Sequence, residues 1–236
     1  MELSKRMQAV ADLVTVGNKV ADIGTDHAYI PIYLIEENIS PAVIAMDINE
    51  GPLEIAENHI KENQLQEKIQ LRLSNGFEKL KPYEAETAVI AGMGGALVIR
   101  ILDTYRDVTD SMKEIILQPQ SEIAKVRKYL LEEGFSILEE DMVVEDGKYY
   151  PMMKVCISSD KKSLCELWNE AELEYGKLLL EKHHPVLLQF LNRELLIKKQ
   201  IQEKLNFQEG ERIQKRLKEV EDEIRTIQKG LEYYAL

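Results

Sequence analysis

The sequence predicts an α/β fold: a mostly parallel sheet that ends in an antiparallel hairpin, followed by a second, all-helical domain. Three observations support this prediction. Short β-branched runs alternate with helix-like stretches over residues 19–133, a pattern typical of a parallel sheet wrapped by helices. Two strand-like runs flank a turn at 135–158, and from about residue 163 onward the composition is almost purely helical.

The first predicted element is an amphipathic helix over residues 4–16, because apolar residues recur on one helical face. That face consists of Met7, Val10, Ala11 and Val14. Five strands are predicted after it, at 19–23, 42–47, 69–74, 87–91 and 114–117.

Helical stretches separate most of these strands, including those at 50–63 and 121–133, and Ser121 is the predicted N-cap of the second one. After Gly134, two runs around a Glu-Asp-Gly-Lys turn predict a hairpin. Five βα units followed by a hairpin are typical of the Rossmann-like sheet of class I methyltransferases, whereas NAD-binding folds usually stay parallel.

We predict a first domain over residues 1–160 and a coiled-coil-like helical domain over 161–236. The second contains an apolar heptad seam, formed by Ile213, Leu217, Val220, Ile224, Ile227 and Leu231. A similar seam begins at Leu188, Leu191 and Leu195 and is interrupted by Lys198 and Gln202. With a turn at 206–211, the pattern predicts an antiparallel helical hairpin that serves either packing or substrate binding.

The net charge of -12 argues against general affinity for nucleic acid. Residues 1–155 carry 16 Lys/Arg and 27 Asp/Glu, whereas residues 156–236 carry 14 and 15. Composition alone therefore suggests no RNA partner, and only a local patch of cations could contact an RNA backbone. Those of the nearly neutral helical part are suited to this, although such cations are also common on solvated coiled-coil flanks. The candidates are Lys5, Arg6, Arg100, Arg106, Lys125, Arg127 and Lys128 in the first part, and Arg193, Lys198, Lys199, Lys215, Arg216 and Lys218 in the helical part.

Neither a membrane span nor a secretory signal is indicated, because no apolar run reaches about 18–20 residues. Cys156 and Cys165 fit no metal motif and are compatible with a reducing compartment. We therefore expect a cytoplasmic protein without a bound metal or membrane partner, and the sequence leaves the oligomeric state open.

The turn after the first strand reads Asp22-Ile-Gly24-Thr-Asp26. An acidic residue closing a strand and a glycine are features of nucleotide-binding turns. The second and third glycines of a dinucleotide-binding turn are replaced by Asp26 and Tyr29, which would crowd and repel a pyrophosphate. S-adenosylmethionine has no phosphate and carries a sulfonium and an amino group, so the acidic turn favours this cofactor.

Two further strand ends are candidates for the adenosyl part. Asp47 closes the second strand and is suited to accept hydrogen bonds from both ribose hydroxyls; the alternative is a helix cap. Asn75 and Gly76 follow the third strand, where an amide could serve the adenine amine, and the alternative is a simple turn.

The fourth strand ends in a glycine-rich loop, Gly92-Met93-Gly94-Gly95. Glycines allow close approach of a substrate, and Met93 offers a flexible apolar surface. The Pro-Pro-aromatic loop of enzymes that methylate exocyclic amines is absent, which favours a ring nitrogen as acceptor. The alternative is a helix start packed against the sheet. Gln118 and Gln120, after the fifth strand, are expected to read polar base edges.

The segments DIGTDHAYIPI (22–32), IAGMGGALVIRIL (90–102), ILQPQ (116–120) and LSKR (3–6) together resemble the bacterial tRNA (adenine-22-N1)-methyltransferase family, TrmK. The likeness covers essentially the whole chain. It implies S-adenosylmethionine-dependent methylation of N1 of adenine 22 in tRNA. The implied cofactor-binding residues are Asp22, Gly24, Asp26, Asp47, Ile48, Asn75, Gly76, Gly92, Met93 and Gly94. The implied catalytic residues are Asp26, His27, Tyr29 and Met93.

In this hypothesis Asp26 stabilises the charge that develops on the base or takes a proton, His27 orients it or acts as an alternative base, and Tyr29 stacks on the extruded adenine. Asp26 could instead cap a helix. Three other functions stay open: methylation of a small molecule or protein, RNA binding without catalysis, and NAD sensing.

Overall fold

A computed structural model describes residues 2–158 and 168–235 of the chain. They belong to two compact units, residues 1–165 and 166–236. The predicted boundary between residues 160 and 161 lies outside the described residues, as does Cys165. No helix in the described ranges is long and apolar enough to cross a membrane.

The first unit alternates strands and helices and closes with two long strands. Its elements are α1 (Lys5–Asp12), β1 (Val20–Ile23), α2 (Tyr29–Glu36), β2 (Val43–Asp47), α3 (Glu50–Glu62), β3 (Ile69–Leu73), β4 (Thr87–Met93), α4 (Gly95–Thr104), α5 (Arg106–Ser111), β5 (Glu114–Pro119), α6 (Ile123–Glu132), β6 (Phe135–Glu145) and β7 (Lys148–Ile157). The second unit is helical, with α7 (Glu170–Tyr175), α8 (Lys177–Glu181), α9 (Pro185–Asn206) and α10 (Glu211–Glu232).

The seven strands form one sheet in the order β3-β2-β1-β4-β5-β7-β6. Strands β1 to β5 are parallel, and β7 is antiparallel to both β5 and β6. All seven predicted strands are confirmed, with ends within two residues of those observed. The predicted fold class, a class I methyltransferase-like sheet with a terminal hairpin, is therefore confirmed.

Successive residues of the central strands point to opposite faces of the sheet, so each face carries its own core. In β1, Ala21 and Ile23 pack with α4 and α6, while Val20 packs on the other face with α1, α2 and α3. Because both faces are covered, Val20–Ile23 is buried throughout.

Helix α1 is shorter than predicted, since it ends at Asp12 rather than at residue 16. The carboxylate of Glu114 at the start of β5 accepts hydrogen bonds from the backbone N–H and the hydroxyl of Thr15, at 2.8 and 2.6 Å. These bonds replace the helical bond that Thr15 would make. The predicted apolar face is confirmed, with Val10, Ala11 and Val14 buried.

The prediction that Ser121 caps α6 is wrong. The N-cap is Glu122, in a left-handed conformation and without a side-chain cap bond. Ser121 turns back to the neighbouring helix instead, where its carbonyl and hydroxyl oxygens both accept from the N–H of Gly95, at 3.2 and 3.3 Å. This contact sets the start of α4 against the start of α6.

The helical unit contains the predicted antiparallel hairpin. Lys198 of α9 lies against Glu223 of α10, and Leu191 lies against the later Gly230, so the helices run in opposite directions. In the predicted seam, Val220, Ile224 and Ile227 are buried. Lys198 interrupts the seam because its ammonium forms a 2.6 Å ion pair with Glu223.

Ion pairs within the hairpin hold two of the cations that the sequence analysis named as candidates for contact with RNA. Lys198 is held by Glu223, and Arg216 is held by Glu219 and Glu223 at 3.0 and 3.2 Å. The exposed candidates of the hairpin that form no ion pair with any residue in the described ranges are Lys199, Lys215 and Lys218.

Candidate active site

The carboxyl ends of four adjacent parallel strands bring the predicted site residues to one edge of the sheet. Asp22 lies near the end of β1, Asp47 ends β2, Met93 ends β4, and Gln120 follows β5. Ligands of open α/β sheets bind at this edge. Asp22 and Asp47 are buried, 4% and 8% exposed.

The turn after β1 is held in an unusual backbone conformation. Gly24, Asp26 and Ala28 all have positive φ, at 74°, 53° and 60°, which is costly for residues with a Cβ. The carbonyl of Met46 in β2 accepts from the N–H groups of Gly24 and Thr25, at 2.8 and 2.9 Å. The positive φ favours glycine at position 24, and a Cβ there would lie 2.4 Å from Met93 Cε, so the end of the Met93 side chain would have to shift.

Asp47 is not a helix cap, because the N-cap of α3 is Asn49. One carboxylate oxygen of Asp47 accepts from the N–H of Asn49 at 2.9 Å, and the other accepts from the N–H of Asp26 at 3.4 Å. These bonds fix the carboxylate beside the turn and leave lone pairs for ribose hydroxyls.

Two cavities share one lining residue, Gly24. One has a volume of about 240 Å³ and includes the predicted adenosyl residues in its lining, Asp47, Ile48, Asn75, Gly76 and Met93. The other has a volume of about 220 Å³ and is lined by Asp22, Asp26, Tyr29, Gly92 and Gln120, with Arg6. Of the predicted site residues, His27 and Gly94 line neither cavity.

Burial raises the pKa of Asp22 to about 7; the nearby hydroxyl of Thr25 lowers it, and the charge of Asp47 raises it further. A carboxyl group with this pKa gains from a cation placed beside it. The second cavity is therefore suited to a ligand that carries a positive charge.

Three neighbouring side chains form a cluster beside this cavity: Asp26 and Tyr29, which line it, and His27. The Asp26 carboxylate is 63% exposed and lies 3.5 Å from His27 Nε2. It is not a helix cap, because the N-cap of α2 is Ala28, without a side-chain bond. The rings of His27 and Tyr29 meet edge to face, with centroids 5.6 Å apart.

His59 of α3, which the sequence analysis did not identify, completes this cluster. Its Nδ1 lies 3.0 Å from the carbonyl oxygen of His27, and its ring lies 5.4 Å from that of Tyr29. The bond ties the strained turn to α3, so we assign His59 to the support of Asp26 and His27.

The glycine-rich loop after β4 divides into two parts. Gly92 and Met93 line the cavities, whereas Gly94 is the N-cap of α4. Gly95 is explained by packing, because a Cβ there would lie 2.5 Å from the carbonyl oxygen of Ser121. The packed helix start that we kept as an alternative thus accounts for Gly95.

Gln118 does not read base edges, because it is fully buried. Its Oε1 accepts from the N–H of Gly92 at 3.1 Å and from Arg6 Nη1 at 3.2 Å, and its amide nitrogen donates to Pro119. Only Gln120 of the predicted pair lines the cavity.

Comparisons with known proteins identify the family of the chain. The family model of TrmK, tRNA (adenine(22)-N(1))-methyltransferase, matches residues 20–229. The tRNA (adenine(22)-N(1))-methyltransferase of Bacillus subtilis (strain 168) is 31% identical over 235 residues, 99% of this chain and 98% of the relative.

Two solved structures carry a cofactor or its product. A Streptococcus pneumoniae protein in complex with S-adenosyl-L-methionine is 31% identical, with a TM-score of 0.83 over 98% of this chain and 100% of that one. M. capricolum TrmK in complex with S-adenosyl-homocysteine is 27% identical, with a TM-score of 0.82 over 99% of both chains.

Proposed function

Because this chain belongs to the TrmK family of tRNA (adenine(22)-N(1))-methyltransferases, we propose that it methylates N1 of adenine 22 in tRNA with S-adenosylmethionine. The observation that carries the proposal is the pair of cavities that share Gly24 in their lining, at the carboxyl edge of the sheet. One is lined by groups suited to an adenosyl moiety, and the other is lined by the carboxylates of Asp22 and Asp26.

The residues present fit the cofactor. Asp47 is placed to accept from the ribose hydroxyls, and Asn75 and Gly76 line the same cavity beside Ile48. Gly24 lines both cavities and leaves free the space that a Cβ, close to Met93, would occupy. When bound, S-adenosylmethionine supplies an electrophilic methyl group, and the sulfur keeps the electron pair as N1 forms its new bond.

The protein's own contribution is mainly to position N1 in line with the methyl group. As positive charge develops on adenine, the exposed Asp26 carboxylate stabilises it or takes a proton from the exocyclic amine. His27, 3.5 Å away, orients that carboxylate. Tyr29 offers a ring face on which the extruded base stacks, and Met93 supplies an apolar wall.

The proposed partner is tRNA, and the proposed location is the cytoplasm, where tRNA is modified. The overall charge of -12 repels a polyanion. Lys199, Lys215 and Lys218 of the helical unit are therefore the cations that we propose follow the tRNA backbone. With three such contacts, we expect the logarithm of the association constant to fall with the logarithm of the salt concentration with a slope of about -3; binding that is insensitive to salt would contradict this assignment.

The test uses purified protein, S-adenosylmethionine and an unmodified bacterial tRNA transcript with adenine 22. Mass spectrometry of the digested RNA should show 1-methyladenosine at position 22. A transcript with guanine at that position should stay unmethylated, and Asp26→Ala should lower the rate. If the protein binds the cofactor but leaves adenine 22 unmodified, the proposed acceptor is wrong.

A further inference from the structure

Gln120 has no role in the mechanism above, although it lines the cavity that contains Asp26 and Tyr29. It is the first residue after β5, and its backbone N–H donates to the carbonyl oxygen of Met93 at 2.8 Å. This hydrogen bond joins the loops after β4 and β5 and fixes the point from which the Gln120 side chain extends. The amide nitrogen of that side chain lies 3.7 Å from the position that a Cβ would occupy at Gly92.

The amides of Gln118 and Gln120 differ in the partners that they have. Gln118 is buried, and both the oxygen and the nitrogen of its amide are bonded to protein groups. Gln120 is exposed, and its side-chain amide forms no hydrogen bond with any residue within 2–158 and 168–235. An amide in this state offers a ligand one acceptor and two donor hydrogens. Gln120 therefore brings a donor and an acceptor to the residues proposed to meet the base.

The proposed reaction limits which edge of adenine a side chain can read. N1 lies on the Watson–Crick edge and has to face the methyl group, so a group bonded to that nitrogen would block the transfer. The Hoogsteen edge offers the N6 amine as a donor and N7 as an acceptor, and a glutamine amide matches this pair with two hydrogen bonds. The amine has two hydrogens, so one can bond to an amide on the N7 side while the other faces Asp26 on the N1 side.

We propose that Gln120 recognises the target adenine by its Hoogsteen edge, with Oε1 accepting from the N6 amine and Nε2 donating to N7. The pairing leaves N1 free for the methyl group. Guanine presents acceptors at both O6 and N7, so Oε1 would have no partner there. The inference rests on the proposed function and extends it, because it names a residue that distinguishes the acceptor base and the atoms that it reads.

The experiment is a cycle of two enzymes and two substrates. Wild type and Gln120→Met are each assayed with tRNA transcripts that carry adenine or 7-deazaadenine at position 22, and kcat/KM for methylation is measured. 7-Deazaadenine keeps N1 and the amine, but a carbon that cannot accept a hydrogen bond replaces N7. Its effect on the intrinsic reactivity of N1 is the same for both enzymes, so that effect cancels in the comparison.

A hydrogen bond to N7 predicts that the analogue lowers kcat/KM of wild type by about 2- to 10-fold relative to its effect on Gln120→Met. Gln120→Glu keeps an acceptor for the amine but places a carboxylate against the lone pair of N7. The analogue should therefore be a better substrate for Gln120→Glu, relative to adenine, than it is for Gln120→Met. A purely structural role of Gln120 does not produce this order, because all variants would then respond to the analogue alike.

Gln66→Met is the matched control, because Gln66 is exposed and precedes β3, at the edge of the sheet opposite the cavities. This variant should respond to both transcripts like wild type. Melting temperatures and affinities for S-adenosylmethionine close to those of wild type would show that the Gln120 variants keep the fold and the cofactor site.

Two results would overturn the inference alone. If the analogue has the same effect on wild type and on Gln120→Met, the Gln120 amide does not contact N7. If Gln120→Met loses affinity for S-adenosylmethionine and its response to the analogue equals that of wild type, the amide serves the cofactor instead. If wild type binds the cofactor but leaves adenine 22 of the ordinary transcript unmethylated, the proposed function is refuted, and the inference with it.

Discussion

Replacement of Gly24 by alanine tests whether the cofactor lies against Gly24, the residue that lines both cavities. The added Cβ would lie 2.4 Å from Met93 Cε, at a residue with φ of +74°. The left-handed conformation costs about 1–2 kcal/mol for alanine. For a unit of this size, that loss lowers the melting temperature by about 2–8 °C. Met93 is flexible and can move aside, so the protein should still fold.

Gly17→Ala is the matched control, because Gly17 has φ of +93° and no atom within 4 Å of a Cβ. Both variants should lose similar stability in thermal unfolding. Calorimetric titration should show that only Gly24→Ala loses affinity for S-adenosylmethionine, by at least about tenfold. The reason is that its methyl group and the displaced Met93 side chain occupy the space beside Gly24 that the cofactor needs. Equal affinities in the two variants would refute the reasoning.

Two further predictions concern the turn and its acidic partner. His59→Leu should lower the methylation rate by about five- to tenfold, because the hydrogen bond to the His27 carbonyl is lost. His59→Asn keeps a donor and should largely restore the rate. Equal losses of rate in both variants would exclude the hydrogen bond as the cause. Since the pKa of Asp22 is about 7 and a bound ammonium favours the ionised form, affinity for S-adenosylmethionine should fall about tenfold from pH 8 to pH 6 in calorimetric titrations. Asp22→Asn should bind weakly at both pH values, and an unchanged pH dependence in that variant would assign the effect to another group.

The strands were predictable because a short run of apolar residues indicates, without any other information, that the segment is buried. Val20–Ile23 and Val43–Asp47 are short runs buried on both faces, and they give the same signal in any α/β sheet. The carboxyl edge was predictable for the same reason, since Asp22 and Asp47 interrupt apolar runs where parallel strands end.

The misses depend on residues far apart in the chain. The end of α1 is set by the hydrogen bond between Thr15 and Glu114, which are 99 positions apart. The buried orientation of Gln118 is set in part by its hydrogen bond with Arg6, which is 112 positions away. His59 lies beside buried Ala56 and Ile60 on the packed side of an ordinary amphipathic helix, so nothing in its local pattern distinguishes it from a structural residue. Such roles become visible only when the fold brings the partners together.

The contacts of α1 also affect when the site can form during synthesis. The N–H of Lys5 donates to Glu145 of β6 at 2.6 Å, and Arg6 lies over the ring of Tyr150 in β7. A nascent chain that ends before the terminal hairpin contains the whole nucleotide-binding turn and Gln118, the partner of Arg6, but lacks Glu145 and Tyr150. Translation proceeds from the N-terminus, so the contacts of α1 with β6 and β7 form only after the hairpin has been synthesised. The first helix of the chain is thus held in part by the last two strands of its unit.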